Sequence, residues 1–323
     1  MELIASVFIF CVVLFLYLHI QFHLKTSDEL EVYEIEQYSK PKMEEICDLR
    51  QPVLFDLDET TSQIVDSTKK DAIIENYAAF EVKMRNQNDA DKINESVTYL
   101  PLLLKEAQQL CEEDKTASYL SENNGEFLTE TGVSKHFQYN DENLRPPMVS
   151  NCYYDFMFGA QDVITPFRYE VNYRNYFMVN QGELRVKMSP PKNAKYLSER
   201  KDYETLEFVS PVNPWSPDVE HKADFEKVKC LEIVLKPGKC LHIPAYWWYS
   251  FKFNKDTGVS SCKYRTYMNN VAVSPHIGMY LLQNQNVSHK IAKNAPFKFS
   301  EKGDENTLKK EEGSDSKEEK GNL

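Results

Sequence analysis

From Val163 the chain becomes a succession of short runs in which β-branched and aromatic residues alternate with polar ones: "FRYEVNYRNYFMVNQ", "ELRVKM", "TLEFV", "CLEIVLK", "KCLHI", "YWWYSFKF" and "SSCKYRTYM". Successive side chains of a strand point to opposite faces, so such text fits strands that bury one face, broken by Gly, Pro and Asn turns. Several of them in series predict an all-β sandwich or barrel, and "VLKPGKCL" predicts a tight turn between two strands. Helical text follows at "SPHIGMYLLQNQNVSHKIAK", with Ser274 expected as N-cap and Pro275 at the first helical position. That helix is expected to pack on the β-structure through Ile277 and Leu281.

The other end of the chain is constrained by lipid chemistry. Leu3 to Ile20, "LIASVFIFCVVLFLYLHI", is almost wholly apolar, and a helix needs about 20 such residues to cross a bilayer. Glu2 precedes the run, and no cluster of small residues ends it, which favours an uncleaved single-pass anchor over a signal peptide. Lys25, Lys40 and Lys42 all follow the span, so the positive-inside rule places the main domain in the cytosol. A net charge of -12 excludes a phosphate-backbone binder, and hence nucleic acid as a partner. The seven cysteines form no CxxC pair, which fits a reducing compartment. Two sequons, Asn94-Glu95-Ser96 and Asn286-Val287-Ser288, point the other way and carry little weight, because such triplets recur by chance.

The resulting division is an anchor over 1–25, a polar lead-in over 26–48, a mixed α/β part over 49–148, a β core with its C-terminal helix over 149–295, and a disordered charged tail over 296–323. Within the mixed part, Pro52 to Phe55 reads as extended. "DAIIENYAAFEVKM" suits either a helix or a strand, and "LPLLLKEAQQL", Leu100 to Leu110, reads as a helix.

Two stretches raise chemical possibilities. In "PVLFDLDETT" an apolar run ends in Asp56 and Asp58, which resembles the nucleophile motif of haloacid dehalogenase-type phosphatases; that chemistry needs a doubly wound sheet, whereas a strand end with an Asp-capped turn does not. In "CLH", Cys240 and His242 share one face of a strand, but without an HxH, HExxH or CxxC to complete a metal site they read as packing residues.

The stretches "FGAQDVITPFRYEVNYRNYFMVNQGELRVKMSPP" and "LKPGKCLHIPAYWWYSFKF" together resemble the cupin-like, JmjC-type double-stranded β-helix family, in the divergent form found in large DNA viruses. The resemblance covers Val149 to Asn286 best. It implies a mainly β fold, a cupin-like double-stranded β-helix with flanking helices, preceded here by the N-terminal transmembrane helix. Active members hold Fe(II) with two His and one Asp or Glu, and 2-oxoglutarate completes the site. Carried over from Thr165-Pro166, the three ligand positions fall on Arg168, Glu170 and Tyr249; aligned from Gly182, the first two move to Tyr169 and Val171. The cosubstrate Lys of several members corresponds to Leu184. Arginine has no lone pair to donate to a metal. The resemblance therefore implies vacated metal-site positions, no catalytic residue and no cofactor, with Arg168 set beside Glu170 and a pocket lined by Tyr169, Trp247, Trp248 and His242. The expected protein is a membrane-anchored, non-catalytic binding or structural protein whose ligand or protein partner the sequence does not name. The alternatives are an Fe(II)/2-oxoglutarate oxygenase with atypical ligands such as Glu170 and His242, and the phosphatase.

Overall fold

The computed structural model describes residues 2–36, 39–87, 99–203 and 206–286. The charged tail expected over 296–323 and the sequon at Asn94 lie outside the described residues. The chain starts with α1, Glu2–Leu24, long and apolar enough to cross a membrane. The stretch expected to be a plain polar lead-in carries β1 (Tyr33–Ile35) and α2 (Lys40–Cys47), because Met43, Ile46 and Cys47 supply a buried helical face.

Next come β2 (Val53–Asp56) and α3 (Glu59–Ser67). Asp58 is the N-cap of α3: its Oδ1 accepts the Thr61 amide at 3.0 Å, and its Oδ2 accepts from Asn143 at 2.6 Å. The paired aspartates are thus a strand end and a helix cap. Since β2 lies parallel to β1 and antiparallel to a later strand, no doubly wound sheet surrounds them among the described residues.

The ambiguous stretch beginning at Asp71 contains both alternatives, α4 (Lys70–Tyr77) and β3 (Glu81–Asn86). Leu100 to Leu110, expected as one helix, divides into β4 (Leu100–Leu103) and α5 (Leu104–Glu113). Pro101 explains the division. It disfavours helical backbone at Leu100 and has no amide proton, a loss tolerated at a sheet edge, which is where β4 lies. The N-terminal part ends with β5 (Tyr119–Ser121), α6 (Gly125–Glu130) and α7 (Ser134–Asn140).

The alternating text then forms β6 (Val149–Gly159), β7 (Phe167–Tyr169), β8 (Arg174–Gln181), β9 (Leu184–Ser189), β10 (Arg200–Asp202), β11 (Glu207–Ser210), α8 (Val219–Phe225), β12 (Leu231–Leu235), β13 (Lys239–His242), β14 (Trp248–Phe253) and β15 (Gly258–Thr266). Two helices follow, α9 (Tyr267–Ala272) and α10 (Ser274–Asn286). Ser274 is the first residue of α10 rather than its cap. Ile277 is half-buried against the core, but Leu281 is 54% exposed, because only the first turn of α10 reaches the rings of Tyr203 and Phe208.

Among the described residues the strands form a nine-stranded sheet, β1-β2-β13-β8-β15-β6-β5-β3-β4, and a six-stranded sheet, β10-β11-β7-β14-β9-β12. The two face each other across one core: Phe177 of β8 meets Tyr249 and Phe251 of β14 with ring centroids 5.4 and 4.9 Å apart. This is the expected mainly β architecture with flanking helices. Two of its turns depend on glycine. Gly238, at φ 88°, makes the Pro-Gly turn between β12 and β13. Gly182, at φ 75°, joins β8 to β9 where an added Cβ would lie 2.9 Å from the Thr257 Cα.

Candidate functional site

Arg168 sits in the middle of the three-residue strand β7, directly opposite Tyr249 of β14 in an antiparallel pair. Opposed residues project to the same face, so the Arg168 guanidinium carbon lies 5.8 Å from the centre of the Tyr249 ring. Glu170 follows two residues later, and its Oε1 accepts the Tyr249 hydroxyl at 3.1 Å. The three positions carried over from the resemblance are therefore neighbours in space.

Their partners differ from expectation. Arg168 does not form an ion pair with Glu170; its Nη2 donates to Glu122 Oε2 at 2.6 Å. Glu122 is 1% exposed and immediately follows β5, in the N-terminal part of the fold. Its other oxygen accepts from Arg85 Nη1 at 3.0 Å, and Arg85 also donates to Glu207 of β11 at 3.2 Å. Tyr99 approaches both carboxylates at 3.4 Å. Glu170 takes a different cation: Lys263 Nζ donates to its Oε1 at 2.6 Å, and Asn172 Nδ2 to its Oε2 at 3.1 Å. The physical reason is position. β5 and β3 bring a carboxylate and a second guanidinium to Arg168, while β15 brings an ammonium to Glu170.

The electrostatics follow from these pairs. Burial alone would raise the Glu122 carboxyl, but the Arg168 and Arg85 guanidinia outweigh it and hold it at about 2. Burial would likewise raise Glu170, and Lys263 followed by Arg168 brings it below the ordinary carboxylate range. Tyr249 is pushed up by burial and by Glu170, so its phenol keeps its proton and acts as a donor. Asp155 of β6 accepts the backbone amides of Asn123 at 2.9 Å and Asn124 at 2.7 Å, fixing the turn that carries Glu122; burial pushes its carboxyl up to about 6.

A cavity of about 230 Å³ opens beside this network, lined by Arg168, Tyr169, Glu170, Asn172, Glu207, Lys263 and Arg265, with Tyr153 and Phe208 among its aromatic walls. Of the four residues named as pocket lining, Tyr169 borders this cavity, and Trp247, Trp248 and His242 do not. All three are core residues, at most 1% exposed. Trp247 lies with Tyr249 in the main core and donates its indole proton to the Arg50 carbonyl at 3.0 Å. Trp248, on the opposite face, packs on Phe167 and Tyr169 in a second, smaller cluster. His242 is held neutral by burial, aided by Arg174 and Arg50, and packs on the Tyr176 ring at 5.1 Å. Cys240 is buried in the main core, and burial pushes its thiol well up.

The donor set does not fit the iron chemistry of active members. Arg168 has no lone pair, Tyr249 is a protonated phenol, and Glu170 is already occupied by Lys263, Tyr249 and Asn172. Among the described residues no group of three or more His, Cys, Asp or Glu is placed to hold a metal. Sequence reasoning missed Glu122, Arg85, Glu207, Lys263 and Arg265. One signal was available for the last two: in "SSCKYRT" the cations fall two apart, alternating with buried Cys262 and Tyr264.

Comparison with known proteins agrees with the fold. The sequence model of a family described as a cupin-like domain matches residues 36–270. A segment of 92 residues is 28% identical to HSPB1-associated protein 1 of Rattus norvegicus, covering 28% of this chain and 19% of that protein. A segment of 93 residues is 30% identical to HSPB1-associated protein 1 of Mus musculus, again covering 28% of this chain and 19% of the relative. The match thus spans about a fifth of the length of these curated relatives.

Proposed function

The chain belongs to the cupin-like domain family, and from that premise we propose that it is a membrane-anchored, non-catalytic member that works by binding, of the divergent kind that resembles proteins of large DNA viruses. One observation carries the reading: the positions where active members place metal ligands hold Arg168, Glu170 and Tyr249, each engaged in a hydrogen bond or ion pair with a neighbour. The aromatic contact of Phe177, Tyr249 and Phe251 fills the interior directly behind them. The relatives' name records association with another protein, which accords with a binding role. The anchor is α1, and the lysines after it, Lys25, Lys40 and Lys42, support a cytosolic main domain. Support for an uncleaved anchor also comes from the end of α1, where His23 is buried against the domain.

Metal analysis of the detergent-solubilised full chain, paired with an assay of 2-oxoglutarate turnover, tests this reading. The expected result is sub-stoichiometric iron and no succinate. Stoichiometric iron with 2-oxoglutarate-dependent succinate release overturns it.

A further inference from the structure

The last turn of α1 is built into the domain. His23 Nδ1 lies 2.8 Å from the His19 carbonyl, which can only accept, so Nδ1 carries the proton and Nε2 faces the Thr266 hydroxyl at 3.3 Å. Thr266 is the N-cap of α9, against which α1 packs. Arg50 donates to the Phe22 carbonyl at 3.3 Å and lies over the Phe22 ring, and His23 packs on Tyr173. The root of the anchor is therefore a fixed joint.

The apolar face that the helix leaves open to lipid runs right up to this joint: the residues through Leu18 are exposed, His19 and Ile20 are partly covered by the domain, and His23 is buried in it. A polar joint of this kind belongs outside the hydrocarbon core of a bilayer, whereas the apolar residues next to it belong inside. The edge of the hydrocarbon therefore falls within about one helical turn, roughly 5 Å, of the docked end, and α9 lies beside it. The two helices at this joint expose apolar side chains: Tyr267 at 60% and Val271 at 39%, one turn apart on α9, and Met279 at 46%, Leu281 at 54% and Leu282 at 57% on α10, which packs on α9. Apolar and tyrosine side chains of this kind are favoured where lipid headgroups meet acyl chains.

We propose that α9 and α10 form a membrane-interface surface, seated in the headgroup layer of the bilayer that α1 crosses, so that the β domain is held against the lipid at a fixed orientation. This rests on the reading of α1 as a membrane-spanning anchor. An environment-sensitive fluorescent amino acid placed at Tyr267, at Leu281 or, as control, at Val219, which is 93% exposed on α8, reports on it. The full chain is reconstituted in phosphatidylcholine vesicles containing a brominated lipid. The expected result is several-fold stronger quenching and a blue-shifted emission at Tyr267 and Leu281, with Val219 remaining aqueous. Protein that resists carbonate extraction while all three probes stay equally aqueous overturns the proposal and leaves the anchor standing. Probes that are blue-shifted but unquenched, in a chain that cross-links to a second copy, overturn it in favour of self-association. Release of the protein by carbonate removes the anchor itself and the proposal with it.

Discussion

The aromatic interior and the charged mouth meet where Tyr249 of β14 pairs with Arg168 of β7, yet they are stabilised in opposite ways. In the interior, Trp247, Tyr249, Phe251 and Phe177 exclude water and gain by area, so each contributes through its size. At the mouth, Arg168, Arg85, Glu122 and Glu207 lie at about a tenth exposure or less and gain only because every charge finds its opposite. A dry aromatic core tolerates small shifts of its neighbours. A buried ion network depends on the presence of every member, since removing one strands another. The positions onto which the family resemblance carries the metal ligands, Arg168, Glu170 and Tyr249, lie along the seam between the two regimes.

The largest expected effects lie in the two aromatic clusters, the interior that holds Trp247 and the smaller one that holds Trp248. Trp247→Ala and Trp248→Ala should each cost about 3–5 kcal/mol, measured by chemical denaturation. Trp247 is expected to be the worse of the two, because its indole bond to the Arg50 carbonyl is lost as well. If both variants melt like the parent, the aromatic run is not core and the contrast collapses.

Next comes the mouth. Glu122→Gln leaves Arg85 and Arg168 with Glu207 as the remaining carboxylate, at a cost of about 3–5 kcal/mol. The pH dependence gives the sign. The Glu122 carboxyl is held at about 2, below its ordinary value of 4.5. Its contribution is therefore complete above about pH 4.5 and lost as pH falls from there towards 2, by roughly 3 kcal/mol. The variant should lack that slope. An unchanged acid profile would show that the carboxylate is not paired as described. Lys263→Met should cost less, about 1–2 kcal/mol, because Glu170 keeps Tyr249 and Asn172 and is partly reached by solvent. A loss equal to that of Glu122→Gln would place Glu170 inside the dry network instead.

The two regions were also unequally legible. Alternation in "YWWYSFKF" and "KCLHI" was enough to find β14 and β13, because a strand's periodicity is local. The nearness of Arg168, Glu170 and Tyr249 came from the spacing of the family resemblance. The partner of Arg168 was not legible: Glu122 lies 46 residues upstream, on a turn in a part of the chain where helix and strand signals overlap. Pro101 is the clearest misreading there, since its restriction on Leu100 overrides the helical pattern of "LPLLLKEAQQL". Charge pairing is set by which strands the topology makes neighbours, and no local period encodes it.

The smallest predicted effect sharpens the comparison most, because Tyr249 belongs to both regions. Its ring packs on Phe177 and Phe251 in the interior, and its hydroxyl donates to Glu170 at the mouth. Tyr249→Phe keeps the first set of contacts and removes the second. Glu170 retains Lys263 at 2.6 Å and Asn172 at 3.1 Å, so no carboxylate is stranded and the expected cost is about 1 kcal/mol. Tyr249→Ala removes the ring as well and should approach the loss expected for Trp247→Ala. A double-mutant cycle of Tyr249→Phe with Lys263→Met separates the regimes: a coupling near 1 kcal/mol assigns the hydroxyl to the charged network. Additive losses would assign the hydroxyl to the interior, and the seam between the two regions would then lie at Glu170 rather than at Tyr249.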